Sequence, residues 1–247
     1  MSTATYARYE VLRTFRNVRF SIFSLVFPLT MYLLIAGPNR GEDDLAGSGI
    51  SAPLYYMVGL IGFGTMVAVT AGGARIAAER TVGWNRQLRL TPLTARSYLR
   101  AKVMTGYLMA AVSIVLLSVA GMALGVRMPL GQWVEMVALI LVALIPFAGM
   151  GIAIGHLFTT DSLGPALGGI TSIFAFLGGT WFPITGTGFF VDLAHALPSY
   201  WLVQAGHVGI GGSAWGAEGW LVVTAWSVAM AVAAAWAYRR DTKRGLT

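Results

Sequence analysis

Side chains able to hold a metal, move a proton or attack a bond are few in this sequence, and they are scattered. Its 247 residues include three His, 10 Asp and Glu, 17 Lys and Arg, and no Cys. Without Cys there are no disulfides, thiolate metal sites or thiol nucleophiles. His156 closes one apolar run, whereas His195 and His207 fall in a later segment on the other side of the alternating runs, so the three cannot share an ion. Asp192 and His195, three apart, fit a local pair on a helix face better than a proton relay. The two lysines, Lys102 and Lys243, follow Ala101 and Thr242, whereas a phosphate-binding loop needs Gly-Lys-Ser/Thr to bring the ammonium to the phosphates. Neither a G-x-S-x-G elbow nor an H-E-x-x-H helix occurs, so no catalytic residue and no metal site are expected. With Glu135 near a helix start, Asp161 and Asp192 in turns and Lys102 assigned to a loop, no apolar run is expected to carry an interior Asp, Glu or Lys as a relay.

The elements that must position these residues are membrane helices. The chain is 56% hydrophobic and only 11% charged, against about 25% charged in a soluble domain. Its net charge of +7 would suggest nucleic acid in a soluble protein. Here the cations gather between apolar runs and set topology, so no nucleic-acid partner is expected. Arg75, Arg80, Arg86, Arg89, Arg96, Arg100 and Lys102 crowd one such gap. Each would cost about 2.5–3.5 kcal/mol at the centre of a bilayer, which keeps that gap in water or among head groups and, by the positive-inside rule, on the cytoplasmic side.

Alternation from that loop predicts an all-α integral membrane protein: one permease-sized domain over 1–247 with six transmembrane helices at about 20–37, 54–74, 103–125, 133–157, 163–182 and 218–238. Fifteen of the 17 cations then lie inside and only Arg40 and Arg127 outside, which places both termini in the cytoplasm of a multi-pass plasma-membrane protein. Pro146 should kink the fourth span, and Thr159 to Ser162 offer caps for the fifth. Residues 2–19 mix Tyr6, Tyr9, Leu12 and Phe15 with four Arg, as an amphipathic helix on the inner surface would; the alternative is a basic orientation signal with no further role. The apolar run that follows is too long for a signal-peptide core and is read as a retained helix.

Residues 183–217 contain no Lys or Arg but hold Phe189, Phe190, Tyr200, Trp201 and Trp215. A re-entrant outer hairpin between the fifth and sixth helices, broken by Pro183 and Pro198, fits that composition. Interface anchoring is the alternative reading of its aromatic rings, and Trp133, Trp181, Trp201, Trp215 and Trp220 together predict an outer aromatic belt. In the basic loop, Trp84, Leu88, Leu90 and Leu93 expose more apolar surface than a solvated loop should, so a protein partner is expected there. The loop lying flat on the inner leaflet is the alternative. Small-x-x-x-small pairs at Gly121/Gly125, Gly151/Gly155 and Gly164/Gly168 single out no dimer face.

Glu79-Arg80, Gly83, Leu88-Arg89-Leu90-Thr91-Pro92-Leu93 and Lys102 after the second span, with Gly178-Gly179-Thr180-Trp181-Phe182-Pro183-Ile184 and Leu197-Pro198 after the fifth, resemble the type-2 ABC exporter permeases, particularly the small drug-resistance members. The resemblance runs over the whole chain and implies a homodimeric permease bound to a separate ABC ATPase subunit. It places ATP and Mg on that partner, with no cofactor on this chain, which is then a transport subunit and not itself an enzyme. It also implies that Glu79, Arg80, Gly83, Trp84, Leu88, Arg89 and Pro92 form the ATPase-coupling loop, and that Pro183, Phe189, Phe190, Pro198, Tyr200 and Trp201 form an outer gate. The short first outer loop, residues 38–52, points to a small lipophilic or amphiphilic substrate, antibiotic-like or lipid, in a setting of membrane lipid. The other reading is a six-helix scaffold or accessory protein that transports nothing.

Overall fold

The computed structural model describes residues 3–84, 87, 93–210 and 214–244, and among these the chain is helical with no strand. Helix α1 (Thr3–Phe15) is followed at Asn17 by an elbow into α2 (Val18–Ser21), a π turn (Ile22–Val26) and α3 (Phe27–Ala36), which run on as one rod. The π turn has a local cause. Pro28 has no N–H to give to the turn before it, and the hydroxyl of Ser24 folds back onto the Phe20 carbonyl at 2.8 Å.

Helix α4 (Ala52–Ala74) starts with Pro53 in its first turn, where a missing N–H costs nothing, and only Arg75 separates it from α5 (Ile76–Thr81). The next helix, α6 (Ala95–Ala123), is capped by Thr94, whose hydroxyl accepts the Ser97 amide. Pro146 breaks the following rod at Leu144 into α7 (Leu130–Ala143) and α8 (Ile145–Leu157), as its ring requires. A reciprocal capping box between Thr159 and Ser162 opens α9 (Thr160–Leu177). Two short helices, α10 (Phe189–His195) and α11 (Pro198–Gln204), and a 3-10 turn (Ala205–Ile210) precede α12 (Ala217–Arg244).

Four helical stretches among the described residues are long and apolar enough to cross a membrane: Ala52–Thr81, Ala95–Ala123, Leu130–Leu157 and Ala217–Asp241. The π turn and α3 form a shorter apolar helix, and α9 starts with Asp161 in its first turn and Pro165 inside, which shortens its apolar length. The helix that carries the third expected span begins at Ala95, eight residues ahead of 103, so Lys102 lies in a helix and not in a loop.

Helix α4 is the most enclosed of the four and α12 the least. It packs on α6 and α8 at backbone distance: a Cβ on Gly151 would come 2.3 Å from the Thr70 carbonyl oxygen, and one on Gly155 2.6 Å from that of Gly73. That small pair therefore serves contact inside the chain. A Cβ on Gly164 or Gly168 of α9, by contrast, would meet no other part of the chain within 4 Å.

Candidate functional site: a buried charge cluster at the basic end and a packed hairpin at the other

At the basic end, three elements far apart in sequence bring ionised groups together. On α1, residues Tyr6, Glu10 and Thr14 recur every four positions and form one buried stripe, while Tyr9, Leu12, Phe15, Arg8 and Arg16 face outward. Glu79 projects from α5 and Lys102 from α6, each only 1% exposed. The Lys102 ammonium bridges both acids, at 2.6 Å from Glu10 Oε1 and 2.5 Å from Glu79 Oε1. The other oxygen of Glu79 accepts the Tyr98 hydroxyl at 2.5 Å, and Arg13 adds a contact of 3.0 Å from the rim. Arg75 donates to the Thr14 hydroxyl and lies over the Phe20 ring, 4.4 Å from its centre. Burial, reinforced by the two carboxylates, pushes the Tyr6 hydroxyl far above its ordinary pKa, so it stays neutral beside them.

Two buried acids and one buried cation leave an excess negative charge, which Arg13 and Arg75 offset from either side. A buried pair like this adds little net stability, but removing one partner strands the other. Lys102, expected in a solvated loop, is instead enclosed in α6, and its partners supply what water would have supplied.

A second junction lies alongside. Arg80 pairs with Asp241 of α12 at 2.7 Å and donates to the carbonyls of Gly155 and His156, and Asp241 also meets His156 Nδ1 at 2.9 Å. Gly83 takes φ +68°, a left-handed turn that favours glycine. Trp84 then stands beside Val82, Tyr6 and Tyr9 around a recess of about 440 Å3 floored by Glu10, Arg13 and Glu79. Of the expected coupling residues, Glu79 and Arg80 are thus engaged inside the chain and Trp84 lines a recess. Leu88, Arg89 and Pro92 lie outside the described residues.

At the opposite end, the expected hairpin residues divide into two groups. Pro198, Tyr200 and Trp201 are buried in α11. Phe189 and Phe190 of α10 are 74% and 73% exposed, and Pro183 is half-buried in the connection before them. Indole N–H groups stitch this region together: Trp201 donates to the His195 carbonyl, Trp215 to that of Trp201 and Trp226 to that of Ala196, at 2.7–2.8 Å. Trp201 and Trp215 are therefore buried packing residues and not members of an exposed belt. Helix α4 seats the connection before α10, since the Tyr55 hydroxyl donates to the Gly179 carbonyl and a Cβ on Gly59 would come 2.5 Å from the Thr180 oxygen. His195 turns towards Glu218, with 3.6 Å between Nδ1 and Oε1, and stacks on Tyr200 instead of pairing with Asp192.

Between the ends, an apolar cleft of about 560 Å3 opens between the π-turn rod and α9, walled by Phe20, Phe23, Phe27 and Phe63 with Gly164 and Gly168 opposite.

The apolar, all-helical character of the described residues agrees with what sequence comparison finds. The family model described as "ABC-2 type transporter" matches residues 2–210. The chain belongs to the ABC-2 type transporter membrane family. It is also 25% identical over 177 residues to YvfS of Bacillus subtilis (strain 168), named provisionally as a transport permease, a match that covers 70% of this chain and 71% of that protein. As an ABC-2 permease it is a multi-pass membrane subunit without its own ATPase site, and the family implies a partner ATPase.

Sequence reasoning missed Glu10, Tyr98, Lys102 and Asp241. One signal was available for the first, because Glu10 is the sole acid before Glu42 and sits among four arginines. Tyr98 and Lys102, four apart, share a helix face once α6 is known to start at Ala95.

Proposed function

We propose that this permease is the membrane half of an ATP-driven exporter that moves a small lipophilic or amphiphilic compound, antibiotic-like or lipid, out of the cell. The carrying observation is the family match together with the apolar cleft. A slot with phenylalanine walls that opens on one side suits an apolar guest, and one copy does not enclose it. Two copies facing each other would close a pathway, and a homodimer is the simplest assembly that does so. In this reading the π-turn rod and α9 complete the six spans, both termini are cytoplasmic, and α10–α11 form a re-entrant hairpin. Phe189 and Phe190 act as the movable part of its gate and Pro183, Pro198, Tyr200 and Trp201 as its frame.

The ATPase, which carries ATP and Mg, docks on the stretch that contains Gly83, Trp84, Leu88, Arg89 and Pro92. Glu79 and Arg80, just before it, fasten α5 to α6 and α12. The deciding experiment is co-purification with a candidate ATPase, followed by hydrolysis measured with and without drugs. Drug-dependent hydrolysis that Trp84→Ala and Leu88→Ala together abolish supports the reading, whereas wild-type binding and export in that double variant overturn the docking surface. Labelling of Thr94→Cys from outside intact cells, or failure of Ser48→Cys to label there, would overturn the topology.

A further inference from the structure

The elbow between α1 and α2 holds a second recess, of about 450 Å3, lined by Tyr9, Leu12, Arg13, Arg16 and Asn17. Its walls present two guanidiniums, and its lining contains no carboxylate, because Glu10 points the other way into the buried cluster. Arg13 spends one nitrogen on Glu79 and keeps 59% of its side chain exposed; Arg16 is exposed and, among the described residues, in no ion pair. Asn17 uses its oxygen to accept the Phe20 amide at 3.2 Å, which leaves its NH2 group as a donor. Asn17 also lines the apolar cleft behind Phe20 and Phe23, so the cationic recess and the 560 Å3 cleft share a wall. Outside the elbow, Val18, Ile22, Phe23 and Val26 continue the exposed apolar strip of Tyr9, Leu12 and Phe15 along the rod.

We propose that this elbow binds an acidic phospholipid of the surrounding leaflet, with its phosphate on Arg13, Arg16 and Asn17 and one acyl chain lying past Phe20 and Phe23 into the cleft. Charge and shape both select that occupant. Guanidiniums hold phosphate by paired, charge-assisted hydrogen bonds, and a basic pocket at the membrane surface favours anionic headgroups. A free anion would use the arginines but leave the adjoining apolar wall wet, and a zwitterionic lipid would set its own cation against them. The proposal rests on the reading that the chain spans a membrane with α1 at its surface; it does not need export, an ATPase partner or a particular drug.

The test is native mass spectrometry of the full-length purified chain, delipidated and titrated with phosphatidylglycerol or phosphatidylcholine of identical acyl chains. Wild type should prefer phosphatidylglycerol, and Arg16→Gln should reduce that preference about tenfold, the usual worth of a lost charge-assisted bond. Arg8→Gln, which removes an outward arginine of the same helix away from the elbow, should leave the preference unchanged, and equal inorganic phosphate should not displace the lipid. Equal binding of the two lipids, equal losses from Arg8→Gln and Arg16→Gln, or displacement by inorganic phosphate alone would each overturn the site. So would a shift in oligomeric state on Arg16→Gln, which would mean that a second copy covers the elbow. Failure of the exporter reading would appear separately, as absent drug-dependent hydrolysis with lipid selectivity intact.

Discussion

The two ends of α4 are held by different physics. At the basic end, Arg75 and α5 carry the chain straight into a knot of ionised groups, where Lys102 is shared between Glu10 and Glu79 and Arg80 reaches Asp241. At the hairpin end, α4 offers one hydroxyl and a glycine to the turn around Gly179 and Thr180, and indoles do the rest. Charges enclosed in protein cannot part without leaving one uncompensated, so α1, α5 and α6 are compelled to move together. Hydroxyl-to-carbonyl bonds and ring contacts carry no net charge, so losing any one of them costs less than stranding a buried ion.

The strongest way to break the contrast is Lys102→Met, which strands Glu10 and Glu79 and should cost about 3–5 kcal/mol. Thermal unfolding in detergent should fall accordingly, and adding Glu10→Gln with Glu79→Gln should restore much of it. An unchanged melting temperature would mean that the basic end is not held by charge. Next comes Gly151→Ala, whose Cβ would meet the Thr70 oxygen of a rigid helix and should cost about 1–3 kcal/mol by the same measurement. Gly59→Ala meets the Thr180 oxygen in a non-helical connection that can give way, so its loss should be the smaller of the two. Equal losses would erase the difference between the ends. Tyr55→Phe removes a single hydrogen bond and should cost about 1 kcal/mol. Phe189→Ala and Phe190→Ala touch exposed rings and should change stability by less than about 0.5 kcal/mol. Their effect belongs in the pattern of drugs tolerated by expressing cells. An unchanged pattern at normal expression would leave them as interface anchors.

The parts of this fold that could be read from sequence are those with local causes. Pro146 breaks its helix because a proline ring excludes one backbone bond wherever it stands, and Thr159 with Ser162 caps α9 through groups three residues apart. Gly83 turns the chain for the same kind of reason. Lys102 was misplaced because a lone cation is rightly expected in water; Glu79 and Glu10, 23 and 92 residues away, together make its burial tolerable, and nothing near Lys102 announces Glu10. Trp201 and Trp215 were read as a belt because composition shows how apolar a segment is but not whether its indoles find carbonyls inside the protein. The basic stretch after α4 reads from sequence as charged and partly apolar, yet the inward turn of Glu79 depends on α1 and α6 and could not be seen from that stretch alone.

The pairing across the basic end also sets a timetable for synthesis. A ribosome delivers Glu10 long before Lys102, and Arg80 long before Asp241. Until the later partner arrives, each early charge must stay solvated beside the bilayer or lean on weaker partners, as Arg80 can on the carbonyls of Gly155 and His156.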